Sequence, residues 1–335
     1  MQKIVKFSKS LDDLSVLKKD FIDSNVKHLK NSIKINNLYK KQPIRKFCIN
    51  CGSKKLNDFI ESFGIKYKLC SRCGHLNGIY ELTDYFIKKI YSKDTANYQK
   101  NYQKNYNLRV KKIYNPKVKF LKRVIKKKIQ ILDFGCGAGH FLKALEMNRI
   151  SGTGFDMSSA LIKLGKKILK KNELFLIKEN EIHDIIKKNK NSNTLSMISV
   201  LEHLANPNSI FDAFKKSKLR YLYVSVPLFS FSVFIENAFK NVYPRQLGGP
   251  HTHLYTEKSL NHLAKKHDLK IIGEHWFGTD MSDLMRSIIA NKNKINKKIY
   301  FKEFKSKFLD YMDELQAALD RNKACSEVHM IFEKK

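Results

Sequence analysis

From Ile129 onward the chain alternates two hydrophobic rhythms. Short β-rich runs, IQILDF (129–134), SGTGFD (151–156), LFLIKE (174–179), LSMISV (195–200) and YLYVSV (221–226), are separated by amphipathic stretches long enough for helices. Strands buried on both faces read as nearly unbroken apolar runs, and parallel neighbours need long crossovers. The rhythm therefore predicts βαβ units and an α/β fold whose mostly parallel sheet carries helices on both faces. LKIIGEHWF (269–277) and EVHMIFEK (327–334) add strands at the sheet edge, with a helical region at about 297–322 between them. The longest apolar stretch, YLYVSVPLFSFSVFI (221–235), contains Pro227 and is too short to span a bilayer as a helix. It reads as a buried strand running into a loop and a helix.

Ahead of this region the pattern changes three times. Residues 1–42 are lysine-rich, with Leu11, Leu14, Leu17 and Phe21 at helical spacing, and read as an amphipathic lead-in. Residues 43–85 hold a cysteine-rich module, and residues 86–128 form a polar helical connector. The connector contains the tract NYQKNYQKNY (97–106), whose Tyr98, Tyr102 and Tyr106 recur every four residues. On a helix they make one stripe that packs while the lysines stay in water.

Charge sharpens this division. The chain carries 65 Lys plus Arg against 31 Asp plus Glu, and residues 1–128 alone hold 32 basic and nine acidic side chains. Such a front end is expected to meet an anionic partner: RNA, an anionic membrane surface touched peripherally, or a sugar-nucleotide diphosphate. Only nine of the basic residues are arginine. That scarcity weighs against RNA, because arginine makes the bidentate and stacking contacts on which RNA recognition relies. Asp12, Asp13, Asp20 and Asp23 interrupt the first thirty residues, which offer no apolar signal core, so a reducing cytoplasm is the expected compartment.

Cys48, Cys51, Cys70 and Cys73 form two C-x2-C pairs, each followed by glycine. The spacing is that of a zinc ribbon. Four thiolates close a tetrahedron around Zn2+ and leave no position for water, so the expected metal is structural. Two reduced cysteine pairs or a redox disulfide are the alternatives. His75 reads as a neighbour of the site, and Cys136 and Cys325 have no comparable partners.

ILDFGCGAGHFLKAL sets Gly135, Gly137 and Gly139 between a strand and a helix. Such a loop presents backbone amides, with little side-chain bulk, to a ligand across the carboxyl end of the sheet. His140 stands where a dinucleotide fingerprint needs its last glycine, which argues against NAD. Asp156 ends the second strand seventeen residues after Gly139. There a carboxylate accepts ribose hydroxyls or caps the following helix, and the two roles are compatible.

From about Tyr106 to its end the chain resembles the class I S-adenosylmethionine-dependent methyltransferases, in the branch of the quinone-biosynthesis O-methyltransferases. Asp133, Gly135, Gly137 and Gly139 match that family's first motif, Asp156 its ribose-binding acid, and SVLEHLANP (199–207) its fourth-strand motif. The resemblance implies a Rossmann-like methyltransferase domain over 129–335. In it Asp133 and the glycine loop lie along the methionine half of the cofactor, Lys178 and Glu179 approach the adenine, and Glu202 and His203 sit beside the methyl group. The zinc-ribbon-like module and the tail, HWFGTDMSDLMRSI and ELQAALDRNKACSEVHMIFEKK, resemble bacterial methyltransferases that modify sugars and surface glycans. Ribosomal-RNA guanine methyltransferases also combine a small zinc module with this catalytic fold.

The expected activity is transfer of a methyl group from S-adenosylmethionine to a hydroxyl of a small molecule or a sugar or glycan precursor. The alternatives are an RNA methyltransferase that grips RNA through the basic zinc module, and a non-catalytic cofactor-binding protein. A hydroxyl is a weak nucleophile and usually needs a base. His251 and His253, in GGPHTHLYT (248–256) after the fifth strand, are the first candidates, with Glu202 and His203 the second.

Overall fold

The apolar runs become the middle of one large sheet in a computed structural model that describes residues 2–9, 24–92, 103, 105–169, 173–291 and 297–335. The strands are β1 (Ile4–Phe7), β2 (Leu56–Ser62), β3 (Ile65–Cys70), β4 (Leu76–Gly78), β5 (Gln130–Phe134) and β6 (Ser151–Asp156). They continue as β7 (Glu173–Leu176), β8 (Thr194–Ile198), β9 (Tyr221–Pro227), β10 (His253–Leu254), β11 (Leu269–Phe277) and β12 (Glu327–Lys334). Among the described residues, eight form a sheet in the order β1-β11-β12-β9-β8-β5-β6-β7. Its pairings are parallel except where β12 runs against β11 and β9. The chain steps outward from β5 to β7 and then returns to β8 beside β5. That reversal opens a crevice at the carboxyl ends of β5 and β8, where open α/β sheets bind ligands.

The two-residue alternation of each strand feeds two cores. Leu132, Phe134, Leu195, Met197, Leu222 and Val224 pack on one face against the helices Ile182–Lys188, Pro207–Lys215 and Glu257–Lys266. Ile131, Tyr221, Tyr223 and Ile331 pack on the other against Asn115–Val124, His140–Met147 and Ser159–Lys166. Phe211 and Phe214 are fully enclosed, and each is worth about 3–5 kcal/mol against alanine in such a setting. Local signals start these helices: Pro207 occupies a first-turn position, Ser158 accepts from the Leu161 amide, and Thr256 and Ser259 form a capping box.

The amino-terminal region departs from its sequence reading. Residues 4–7 form β1, which pairs in parallel with β11 through Ile4↔Gly273 and Phe7↔Trp276. Leu11, Leu14, Leu17 and Phe21 lie outside the described residues. The helix Asn25–Tyr39 follows, and Tyr39 is buried with Ile65, Tyr67, Leu76 and Phe86 in a third core. A second, antiparallel sheet runs β10-β4-β3-β2. Its fourth strand, β10, comes from the far side of the chain and pairs His253↔Asn77 and Leu254↔Leu76. Asn208 donates to the Ile49 and Asn50 carbonyls at 3.0 Å each, and Asn50 donates to the Ser259 carbonyl at 3.1 Å. These bonds hold the cysteine-rich region against the large sheet.

Of the tyrosine tract, residues 97–102 and 104 lie outside the described residues. Tyr106 opens the helical turn Tyr106–Arg109, which passes through a π-helical turn, Val110–Tyr114, into Asn115–Val124. No helix among the described residues is long and apolar enough to cross a membrane.

Candidate functional site

The glycine loop turns at the carboxyl end of β5. Gly135, Gly137 and Gly139 all have positive φ, at 70°, 54° and 74°. A side chain at 135 would bring its Cβ to 2.4 Å from the Val200 Cγ2, so the loops after β5 and β8 approach closely only because this residue is glycine. Tyr106 closes over the loop, donating from its hydroxyl to the Ala138 carbonyl at 3.1 Å and stacking on His140 with ring centroids 4.0 Å apart.

Two carboxylates flank the loop. Asp133 is buried and accepts from the Ser196 hydroxyl at 2.6 Å; burial pushes its pKa up to about 7, against the pull of that bond. Asp156 accepts the Gly137 amide through Oδ2 and the Ser158 amide through Oδ1, both at 2.8 Å. Its carboxylate thus fixes the loop and the start of the next helix together, and burial raises its pKa. Beyond β7, Glu179 opens a single 3-10 turn, Glu179–Glu181. The Glu179 side chain lies outside the described residues.

Past the end of β8 the backbone is strained. Ser199 sits at φ 56°, and its amide donates to the Ser225 carbonyl of β9 at 3.0 Å. A 3-10 turn, Leu201–His203, then brings Glu202 and His203 beside His251. One ligating atom from each of the three lies within 4.8 Å of the others. Glu202 is buried, its Oε2 makes no hydrogen bond, and burial pushes its pKa up to about 8. His203 and His251 are partly exposed, and burial lowers them to about 3 and about 4, so both are neutral at pH 7. His251 is held firmly: its Nδ1 lies 3.1 Å from the Arg245 carbonyl and donates to it. The loop that supplies this carbonyl is itself anchored, because Glu236 accepts the amides of Arg245, Gln246 and Leu247. With Nδ1 protonated, the free lone pair of His251 is on Nε2.

His253 parts company with His251. Its residue belongs to β10 and is fully buried, with Nδ1 2.9 Å from the Nε2 of His75. His251 lies outside that strand, in a turn bridged to Gly248. The other ring nitrogen of His253, Nε2, is buried and makes no hydrogen bond.

The four cysteines converge. All four Sγ atoms lie within 4.8 Å of one another, with Cys48–Cys73 at 3.7 Å and Cys51–Cys70 at 3.6 Å. A tetrahedron with Zn–S bonds of about 2.3 Å has edges of about 3.8 Å, so the donor set fits zinc in kind and size. Asn50 and Asn77 direct their amide nitrogens at Cys73 and Cys48, at 3.5 Å and 3.6 Å. Such outer bonds orient thiolate ligands.

Sequence reasoning missed a second polar group at the same end of the sheet. Lys117, from the helix Asn115–Val124, stands 3.8 Å from Glu327 at the start of β12. Glu327 also accepts from His329 Nε2 at 3.0 Å and from the Ser225 hydroxyl at 3.2 Å. His329 Nδ1 receives the Tyr223 hydroxyl at 2.5 Å. Burial lowers Lys117 to about 8, although the charge of Glu327 works the other way. The alternation of EVHMIFEK puts Glu327 and His329 on one face. Nothing local in the sequence marks Lys117.

The family described as "Methyltransferase domain" matches residues 102–274. No curated protein sequence matches the chain. Among solved structures the chain is similar to a SAM-dependent methyltransferase from Archaeoglobus fulgidus, with 15% identity, coverage of 66% of this chain and 92% of that one, and a TM-score of 0.42. It is also similar to the plantazolicin methyltransferase BpumL in complex with SAH, with 14% identity, coverage of 74% and 94%, and a TM-score of 0.45.

Proposed function

We propose, for a chain that belongs to the methyltransferase-domain family and is an S-adenosylmethionine-dependent methyltransferase, that the acceptor is a hydroxyl of a small molecule or of a sugar or glycan precursor. The observation that carries this reading is the wall formed by Glu202, His203 and His251 at the strand ends, with β10 of the four-cysteine sheet close behind. Groups that manage a proton meet there, Glu202 and His203 from the turn after β8 and His251 from an anchored loop, as a hydroxyl acceptor requires.

The loop residues suit the cofactor. Gly135, Gly137 and Gly139 leave a cradle without side chains, and each oxygen of Asp156 accepts one amide, which leaves lone pairs for ribose hydroxyls. Asp133 accepts at the methionine end, and Glu179 is the proposed neighbour of the adenine. When bound, S-adenosylmethionine supplies a methyl carbon made electrophilic by its sulfonium. The chain's own part is to orient the acceptor and to take its proton. His251 Nε2 is the proposed base, Glu202 and His203 bind the acceptor oxygen, and His253 positions the loop through His75. The four thiolates of Cys48, Cys51, Cys70 and Cys73 are proposed to hold a structural zinc.

A second reading keeps RNA as the acceptor, favoured by the basic excess of residues 1–128. The deciding experiment incubates the protein with methyl-labelled cofactor and fractionated cell extract. Label in soluble sugar nucleotides or other small molecules supports the hydroxyl reading; label in RNA, with affinity falling steeply with salt, overturns it.

A further inference from the structure

We propose that Glu202, His203 and His251 form a second metal site, separate from the four cysteines, that takes a divalent first-row transition cation and holds the acceptor's oxygen. The inference rests on reading this cleft as the acceptor side. Three observations carry it, beginning with the convergence of the ligating atoms within 4.8 Å. Second, Glu202 is 1% exposed, and its Oε2 has no hydrogen-bond partner. A buried carboxylate oxygen left without a partner is costly, and a cation offsets that cost.

Third, His251 is held as a ligand is held. Metal-bound histidine usually donates its other ring N–H to a carbonyl, which fixes the tautomer and aims the remaining lone pair. His251 donates through Nδ1 to the Arg245 carbonyl at 3.1 Å, which leaves its Nε2 lone pair for the cation. That carbonyl belongs to a loop that Glu236 anchors through three amides and Arg245 anchors through Asp283.

The donor set decides the class of ion. Two imidazoles and one carboxylate suit zinc, manganese, iron or cobalt better than magnesium, and three protein ligands leave positions open for a substrate oxygen. Both histidines are partly exposed, so those positions face the cleft. A hydroxyl bound there ionises more readily, its proton passing to solvent. The oxygen then forms its bond to the methyl carbon as the sulfur–methyl bond breaks, and the pair in that bond stays on sulfur. No redox change is involved. With the cation bound, the lone pair of His251 serves as a ligand, so proton removal no longer depends on His251 as a base.

Manganese is the probe, because a closed set of four thiolates does not compete for it. The full chain, purified with the metal it retains on its cysteines, is titrated with Mn2+ and free ion is read by electron paramagnetic resonance. The expected result is one Mn2+ per chain, with affinity at least about tenfold weaker in His251→Ala and in Glu202→Gln. Circular dichroism of each variant checks that it folds. Absence of Mn2+ binding by the wild type, or equal binding by both folded variants, overturns the site. Methyl transfer that persists in chelator also overturns the proposed role of the cation, while leaving the hydroxyl acceptor standing. Mn2+ bound normally by a protein that labels only RNA sinks the acceptor reading instead.

Discussion

Replacing Asp156 with alanine tests how the glycine loop and the cofactor are held together. The carboxylate accepts from Gly137 and Ser158 at 2.8 Å each, and of its roughly four lone-pair directions about two remain for hydroxyls. Alanine therefore removes two kinds of interaction at once. Without ligand, two amide donors lose a charged acceptor; each bond is worth about 1.5–3 kcal/mol when fully shielded. Asp156 is only partly buried, so water replaces part of this and about 1–2 kcal/mol in total is expected. At about 2–4 °C per kcal/mol for a domain of this size, Tm should fall by about 2–8 °C. With ligand, two ribose hydroxyls lose their acceptor, and a further loss of about 1–3 kcal/mol weakens Kd about 5- to 150-fold. Asp156→Asn keeps one accepting oxygen and should fall between wild type and alanine on both scales. Calorimetric titration with S-adenosylhomocysteine avoids turnover, and thermal unfolding without ligand supplies the stability arm. Wild-type affinity in Asp156→Ala, with the loop still folded, would refute the ribose assignment.

Three further outcomes follow from the same geometry. Metal analysis of protein purified without chelator should find one tightly held zinc per chain, lost when Cys70→Ser and Cys73→Ser are combined; cysteine-bound zinc near zero in the wild type removes the structural-metal assignment. His251→Ala should leave cofactor affinity intact and lower kcat by about two to four orders of magnitude, which steady-state rates on the identified acceptor will measure. Because burial lowers His251 to about 4, it stays deprotonated down to acid pH, so the acid limb of kcat/KM should fall well below the usual histidine range. A limb near pH 6.5 would contradict the lowered basicity of the His251 ring.

Legibility followed the range of the interactions. YLYVSV and IQILDF could be read as central strands because a strand covered on both faces must be apolar at nearly every position, and they became β9 and β5. The glycine loop was readable because a sharp strand-to-helix turn demands residues that tolerate positive φ, and three of them sit within five positions. Cysteine spacing carried its own geometry in the same way. β1 was not readable: four residues, IVKF, in a lysine-rich segment give no strand signal of their own. Their partner, β11, lies at the opposite end of the sequence. β10 is shorter still, at two residues, and exists because β4 offers it an edge.

That short pairing is the step from fold to site. It runs from Cys70, at the end of β3, through β4 to His253, two residues past His251. His75, two residues after Cys73, touches His253 directly at 2.9 Å. No periodicity relates residues 75 and 253, so neither the contact nor its consequence can be drawn from the sequence. The consequence is physical: whatever orders the four thiols also orders the strand that leads out of the His251 loop. Loss of order at the cysteines should therefore disturb the acceptor side of the cleft while leaving the glycine loop intact. That loop is fixed by Asp156 and Tyr106, neither of which belongs to the cysteine-rich sheet.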